Sequence, residues 1–86
     1  MKTGAILYVT GTPPIGEGVE ALKVARKLGI QADRATLVSR TSGYENIVDA
    51  WWMLLTKGMN RVVCCVVTTR DGKTFNLSAE PLQLYG

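Results

Sequence analysis

Apolar residues recur along the chain with two different periods, and each change of period marks an element. Ala5 to Thr10, AILYVT, is short and rich in β-formers, so it reads as a strand. Two prolines and three glycines follow between Gly11 and Gly18, which stops the strand and turns the chain. From Val19 to Leu28 the period lengthens: Ala21, Leu22, Val24, Ala25 and Leu28 fall on one side of a helix, and Lys23, Arg26 and Lys27 gather on the other. Gly29 ends it. Ala35 to Arg40, ATLVSR, is a second strand. Between Thr41 and Gly58 the pattern is helical again, opened by a Ser42-x-x-Glu45 capping box and closed by Lys57 and Gly58. On this helix Ile47, Val48, Ala50, Trp51, Leu54 and Leu55 share one face, Asp49, Met53 and Thr56 lie opposite, and Trp52 falls at the border. Arg61 to Arg70 is a third strand without alternation. Asp71-Gly72 has the composition of a two-residue hairpin turn, and Lys73 to Ala79 returns with strict alternation as a fourth strand.

The order β-α-β-α-β-β predicts an α+β two-layer sandwich, with two helices on one face of a four-stranded mixed sheet. The first strand, helix and second strand have the lengths of a right-handed parallel crossover. In the tail, Pro81 breaks the ladder, while Leu82, Leu84 and Tyr85 can pack along an edge. Residues 1–86 make a single domain, since halves of this length would bury too little core.

A hydrophobic content of 47% with 20% charged residues belongs to a folded globule, and no segment approaches the roughly 20 apolar residues of a membrane span. The opening MKTGAILYVTGTPP has only a short apolar part, Ala5 to Val9, and is read as the first strand of a cytoplasmic protein rather than a secretion signal. Cys64 and Cys65 are adjacent in a strand, so their side chains point to opposite faces and do not form a disulfide. With no histidine and no clustered acid pair, the inventory predicts no catalytic residues, no metal site and no cofactor, and hence no enzyme.

Three features remain. The loop carrying Gly11, Thr12, Gly16 and Gly18 stands between a strand and a helix start, where an anion can be held, although a plain connection explains it too. The net charge is +3, with Lys23, Arg26 and Lys27 on one helix, Arg70 and Lys73 flanking the hairpin tip, and Arg40 ending the second strand. A basic two-stranded arm can follow a nucleic-acid groove. Finally, Trp52 and Met53 lie outside the core stripe, and the run Val62 to Val67 is apolar on both faces, which points either to an interface covered by a second copy or to cover by helix tilt and the C-terminal tail.

In its order of elements the chain resembles the Alba superfamily of dimeric nucleic-acid-binding proteins. The resemblance runs through YVTGTPP, ATLVSRTSGYENIVDAW and TTRDGKTFNLSAEPLQL and is topological. It implies a homodimer whose hairpin arms contact DNA or RNA, with Arg40, Arg70 and Lys73 at matching places. Archaeal Alba proteins carry lysine in the loop after the first strand, where this chain has Thr12, Pro13 and Pro14. Two readings therefore stand side by side: a nucleic-acid-binding protein with little sequence specificity, and a protein-interaction or small-ligand module.

Overall fold

The computed structural model describes residues 1–12, 20–39 and 44–84. Its elements run β1 (Thr3–Gly11), α1 (Ala21–Lys27), β2 (Arg34–Ser39), α2 (Tyr44–Thr56), β3 (Arg61–Thr69), β4 (Phe75–Leu77) and β5 (Leu82–Leu84). The α+β class holds, with two helices and a mixed sheet. Ser42 of the expected capping box and the tail residue Tyr85 lie outside the described residues.

β1 is the central strand. It pairs in parallel with β2 on one side and with β3 on the other, Leu7 standing opposite both Leu37 and Cys65. The order across the sheet is β2-β1-β3-β4, and β5 also pairs with β3. β4 and β5 run along the same edge of β3 one after the other: Val67 to Thr69 pairs with β4, Val62 to Cys64 with β5. The fourth strand is shorter than the expected Lys73 to Ala79, and the tail residues Leu82 to Leu84, expected to pack along an edge, pair with β3 as a further strand, so the sheet has five strands rather than four. Pro81 has no amide donor for the ladder, which explains the break.

One detail differs from expectation: the two helices do not share a face. Ala5, Leu7 and Val9 of β1 pack with Val63, Cys65 and Val67 against Ala21, Val24, Ala25 and Leu28 of α1. Ile6 and Val62 pack instead with Ala50 and Leu54 of α2, joined by Ile47, Trp51 and Leu55. Strand order supplies the reason. The step from β1 to β2 goes one way across the sheet and the step from β2 to β3 goes the other, so two right-handed crossovers must lie on opposite faces. This also explains why β1 and β3 do not alternate: a strand covered on both sides is apolar on both sides. Ile6, Leu7, Val9, Val62, Val67 and Cys65 are all essentially inaccessible. Burying each large aliphatic side chain contributes about 1.5–3 kcal/mol, so the sheet interior holds the domain together.

Local signals set the ends of these elements. Gly58 adopts φ 90° just after α2, as its position predicts. α1 is shorter than its apolar pattern, beginning at Ala21 after Glu20, which makes no side-chain cap bond. At the start of β1, the Thr3 amide donates to Asp33 Oδ2 at 2.8 Å and the Asp33 amide donates to the Thr3 carbonyl at 2.7 Å. Across from it, the Lys2 carbonyl accepts from the amides of Asn60 and Arg61, at 2.9 and 3.2 Å. Both crossovers are therefore fastened to adjacent residues, Lys2 and Thr3, where the chain enters β1.

Candidate basic cleft

Lys23 and Lys27 are one helical turn apart, so they project from the same side of α1. The register Thr69–Phe75 leaves Arg70 to Thr74 as the loop between β3 and β4, which brings Lys73 and Thr74 to face that side. Together they enclose a cleft of about 290 Å3, with Glu20, Lys23 and Lys27 on one wall and Lys73 and Thr74 on the other. Val24, Leu28 and Phe75 also line it, and these three pack onto the α1-side core. The cleft thus has an apolar base and three ammonium groups against one carboxylate. Glu20 Oε2 stands 3.8 Å from Lys23 Nζ with both side chains exposed, and a surface pair of this kind holds its partners only weakly.

The loop that positions Lys73 is not the two-residue hairpin its Asp-Gly sequence suggests. Asp71 Oδ1 accepts from the amides of Lys73 and Thr74, at 2.9 and 2.7 Å, and Oδ2 accepts from Thr74 Oγ1 at 3.1 Å. The Gly72 amide donates to Thr69 Oγ1 at 2.9 Å. Asp71 forms its own turn through the side chain, the alternative that Asp offers to a backbone-bonded turn. The Thr74 and Lys73 amides hold its carboxyl down at about 2, below the ordinary 3.8.

Not every candidate residue converges here. Arg26 turns away from Lys23 and Lys27 and lines a separate recess with Met1, Thr3, Ile30 and Asp33. Arg70 is exposed at the end of β3, beside the cleft rather than among the residues lining it. Arg40, Gly16 and Gly18 lie outside the described residues. In open sheets with helices on both faces, ligands commonly sit where neighbouring strands send their connections in opposite directions, which here is between the carboxyl ends of β1 and β3. The Thr12 amide donates to the Thr69 carbonyl and Thr12 Oγ1 to the Arg70 carbonyl, both at 3.0 Å, so both donors are engaged within the fold. Gly11 and Thr12 thus fasten β1 to β3, and the rest of the expected anion loop lies outside the described residues.

Thr74 and Phe75 were not among the residues the sequence singled out, although both line the cleft. Their role depends on which residue of β4 opposes Thr69, and the Asp-Gly signal implied a shorter loop.

The two thiols divide as their spacing requires. Cys65 is fully buried on the α1 side and Cys64 is half-buried on the α2 side. Burial raises both, and the neighbouring Cys64 adds to the shift that puts Cys65 at about 11. Among the described residues, no group of three His, Cys, Asp or Glu side chains could hold a metal ion, and no helix is long and apolar enough to cross a membrane. No protein-family model matches the chain, and no curated protein or solved structure matches it.

Proposed function

We propose that this is a small cytoplasmic protein that binds nucleic acid, DNA or RNA, with little sequence preference, through the cleft between α1 and the β3–β4 loop. The observation that supports this reading is the meeting of Lys23, Lys27 and Lys73 in one apolar-based cleft, which joins two basic clusters far apart in sequence. Lysine ammonium groups neutralise backbone phosphates without reading bases, so contacts of this kind position a strand and leave its sequence unread. Arg70 extends the basic surface beyond the cleft.

The volume of the cleft also suits a small anionic ligand, near the lower limit of small-molecule sites. Fluorescence anisotropy at low salt separates the two. Labelled single-stranded DNA, duplex DNA and RNA are compared with a labelled mononucleotide, and the double variant Lys23→Ala/Lys73→Ala with Arg26→Ala. The nucleic-acid reading expects oligonucleotides to bind at least tenfold more tightly than the mononucleotide, with the double variant weakened much more than Arg26→Ala. Equal affinity for both ligands moves the function to a small anion. Absence of any binding removes the cleft as a nucleic-acid site.

A further inference from the structure

The lysines of the cleft account for phosphate, but its floor serves something else. Val24 and Leu28 of α1 and Phe75 of β4 line the cleft, and each is only half-buried, so an apolar surface stands open between charged walls. A phosphate gains nothing from such a surface. Phe75 opposes Thr69 and Leu77 opposes Val67, and Val67 belongs to the α1-side core, so both β4 side chains point to the α1 side of the sheet. Leu77 is 40% exposed and continues the apolar surface along β4 beyond the cleft. Trp51, Trp52 and Met53 belong to α2 on the other face, so Phe75 is the aromatic ring that a ligand in the cleft would meet.

The order of groups across the cleft is ammonium, apolar floor, ammonium: Lys23 and Lys27 stand on the α1 wall and Lys73 on the loop wall. A nucleotide within a strand has the complementary order, with a phosphate on each side of its sugar and a planar ring between them. The ring is the part that decides the substrate. In a duplex each nucleobase is covered above and below by its neighbours and shows only its edges in the grooves, so a duplex would touch the three lysines and leave Val24, Leu28 and Phe75 bare. An unpaired nucleobase has a free face, and stacking on an aromatic side chain accepts every nucleobase alike.

We infer that the cleft takes an unpaired nucleotide of a single strand, its ring stacked on Phe75 above the Val24–Leu28 floor and its flanking phosphates on Lys23, Lys27 and Lys73. The inference rests on the nucleic-acid function proposed above and narrows it to single strands over duplex. Stacking also fits binding with little sequence preference, because every nucleobase has a π-face to offer.

Fluorescence anisotropy with four ligands of equal length tests it: a deoxythymidine strand, a uridine strand, an abasic deoxyribose-phosphate strand and a duplex. The abasic strand keeps the phosphates and removes the rings. The wild type is expected to bind the thymidine or the uridine strand at least about fivefold more tightly than the abasic strand and the duplex, the effect of one stacked ring. Whichever of the two binds more tightly identifies DNA or RNA as the source of the strand. Phe75→Leu, which keeps an apolar side chain toward the core, should remove most of that advantage while leaving abasic and duplex affinity and the salt slope unchanged. Lys73→Ala should do the reverse, lowering the slope and keeping the advantage. Circular dichroism checks that each variant folds, and the comparison of strands on the wild type stands without any variant. Equal affinity for base-bearing and abasic strands, or a duplex bound as tightly as the single strands, overturns the inference and leaves the cleft as a phosphate site. An advantage that survives Phe75→Leu overturns it too. Absence of binding to every ligand removes the proposed function and this inference together.

Discussion

The carbonyl oxygen of Thr69 lies 2.5 Å from where a Cβ on residue 11 would stand, so β1 and β3 approach at their carboxyl ends only because residue 11 is glycine. Gly11 also holds φ at 87°, a backbone conformation that side chains disfavour. The closing bonds from Thr12 to Thr69 and Arg70 follow directly from this approach. Gly11→Ala is therefore expected to destabilise the domain by about 1–3 kcal/mol, the usual cost of a strained backbone position, read from the shift in urea midpoint. A change within a few tenths of a kcal/mol would mean that the strand ends separate without cost.

A second expectation concerns acid. The Asp71 carboxyl is held at about 2, below its ordinary 3.8, by the amides of the loop it organises. A group whose folded value is lowered adds stability that is present above the unfolded value and lost as pH falls through the folded one. The stability gap between wild type and Asp71→Asn should be constant above about pH 5, narrow below pH 4, and be smallest near pH 2. Chemical denaturation at several pH values measures it. A gap that does not change between pH 6 and pH 2 would mean that the carboxylate is not what fastens the loop.

The thiols should react unequally. Cys65 is inaccessible and raised to about 11, while Cys64 is half-buried and raised less, so an added disulfide reagent at pH 8 should modify Cys64 first. Both should react quickly in denaturant. Mass mapping of the first adduct decides the order, and labelling of Cys65 ahead of Cys64 would contradict the face assignment of β3.

Much of the fold was legible because periodicity reports burial directly. Ala50, Trp51 and Leu54 are core-facing as the helical stripe of α2 requires, and Cys64 and Cys65 point to opposite faces as a strand requires. The side of the sheet taken by each helix was not legible from local pattern, because it depends on strand order. Nothing within Ala35 to Ser39 says that β2 lies at the edge and β1 at the centre. The same limit explains Val48. It belongs to the apolar stripe by its angle, yet it is 47% exposed, because the sheet beneath that flank continues without a helix above it. The cleft was legible only in halves. Lys23 and Lys27 follow from helical spacing and Lys73 from the turn, but their meeting depends on the pairing of Thr69 with Phe75.

The measurement that tests the central claim most directly is the salt dependence of nucleic-acid binding by the basic cleft. If Lys23, Lys27 and Lys73 neutralise phosphates, the logarithm of the binding constant should fall linearly with the logarithm of salt concentration, with about 0.7 of slope per phosphate on single strands and about 0.9 on duplex DNA. Lys23→Ala/Lys73→Ala should reduce that slope by roughly two phosphates' worth, uniformly across oligonucleotide sequences. An unchanged slope in the double variant, or no binding by the wild type at low salt, would contradict the account.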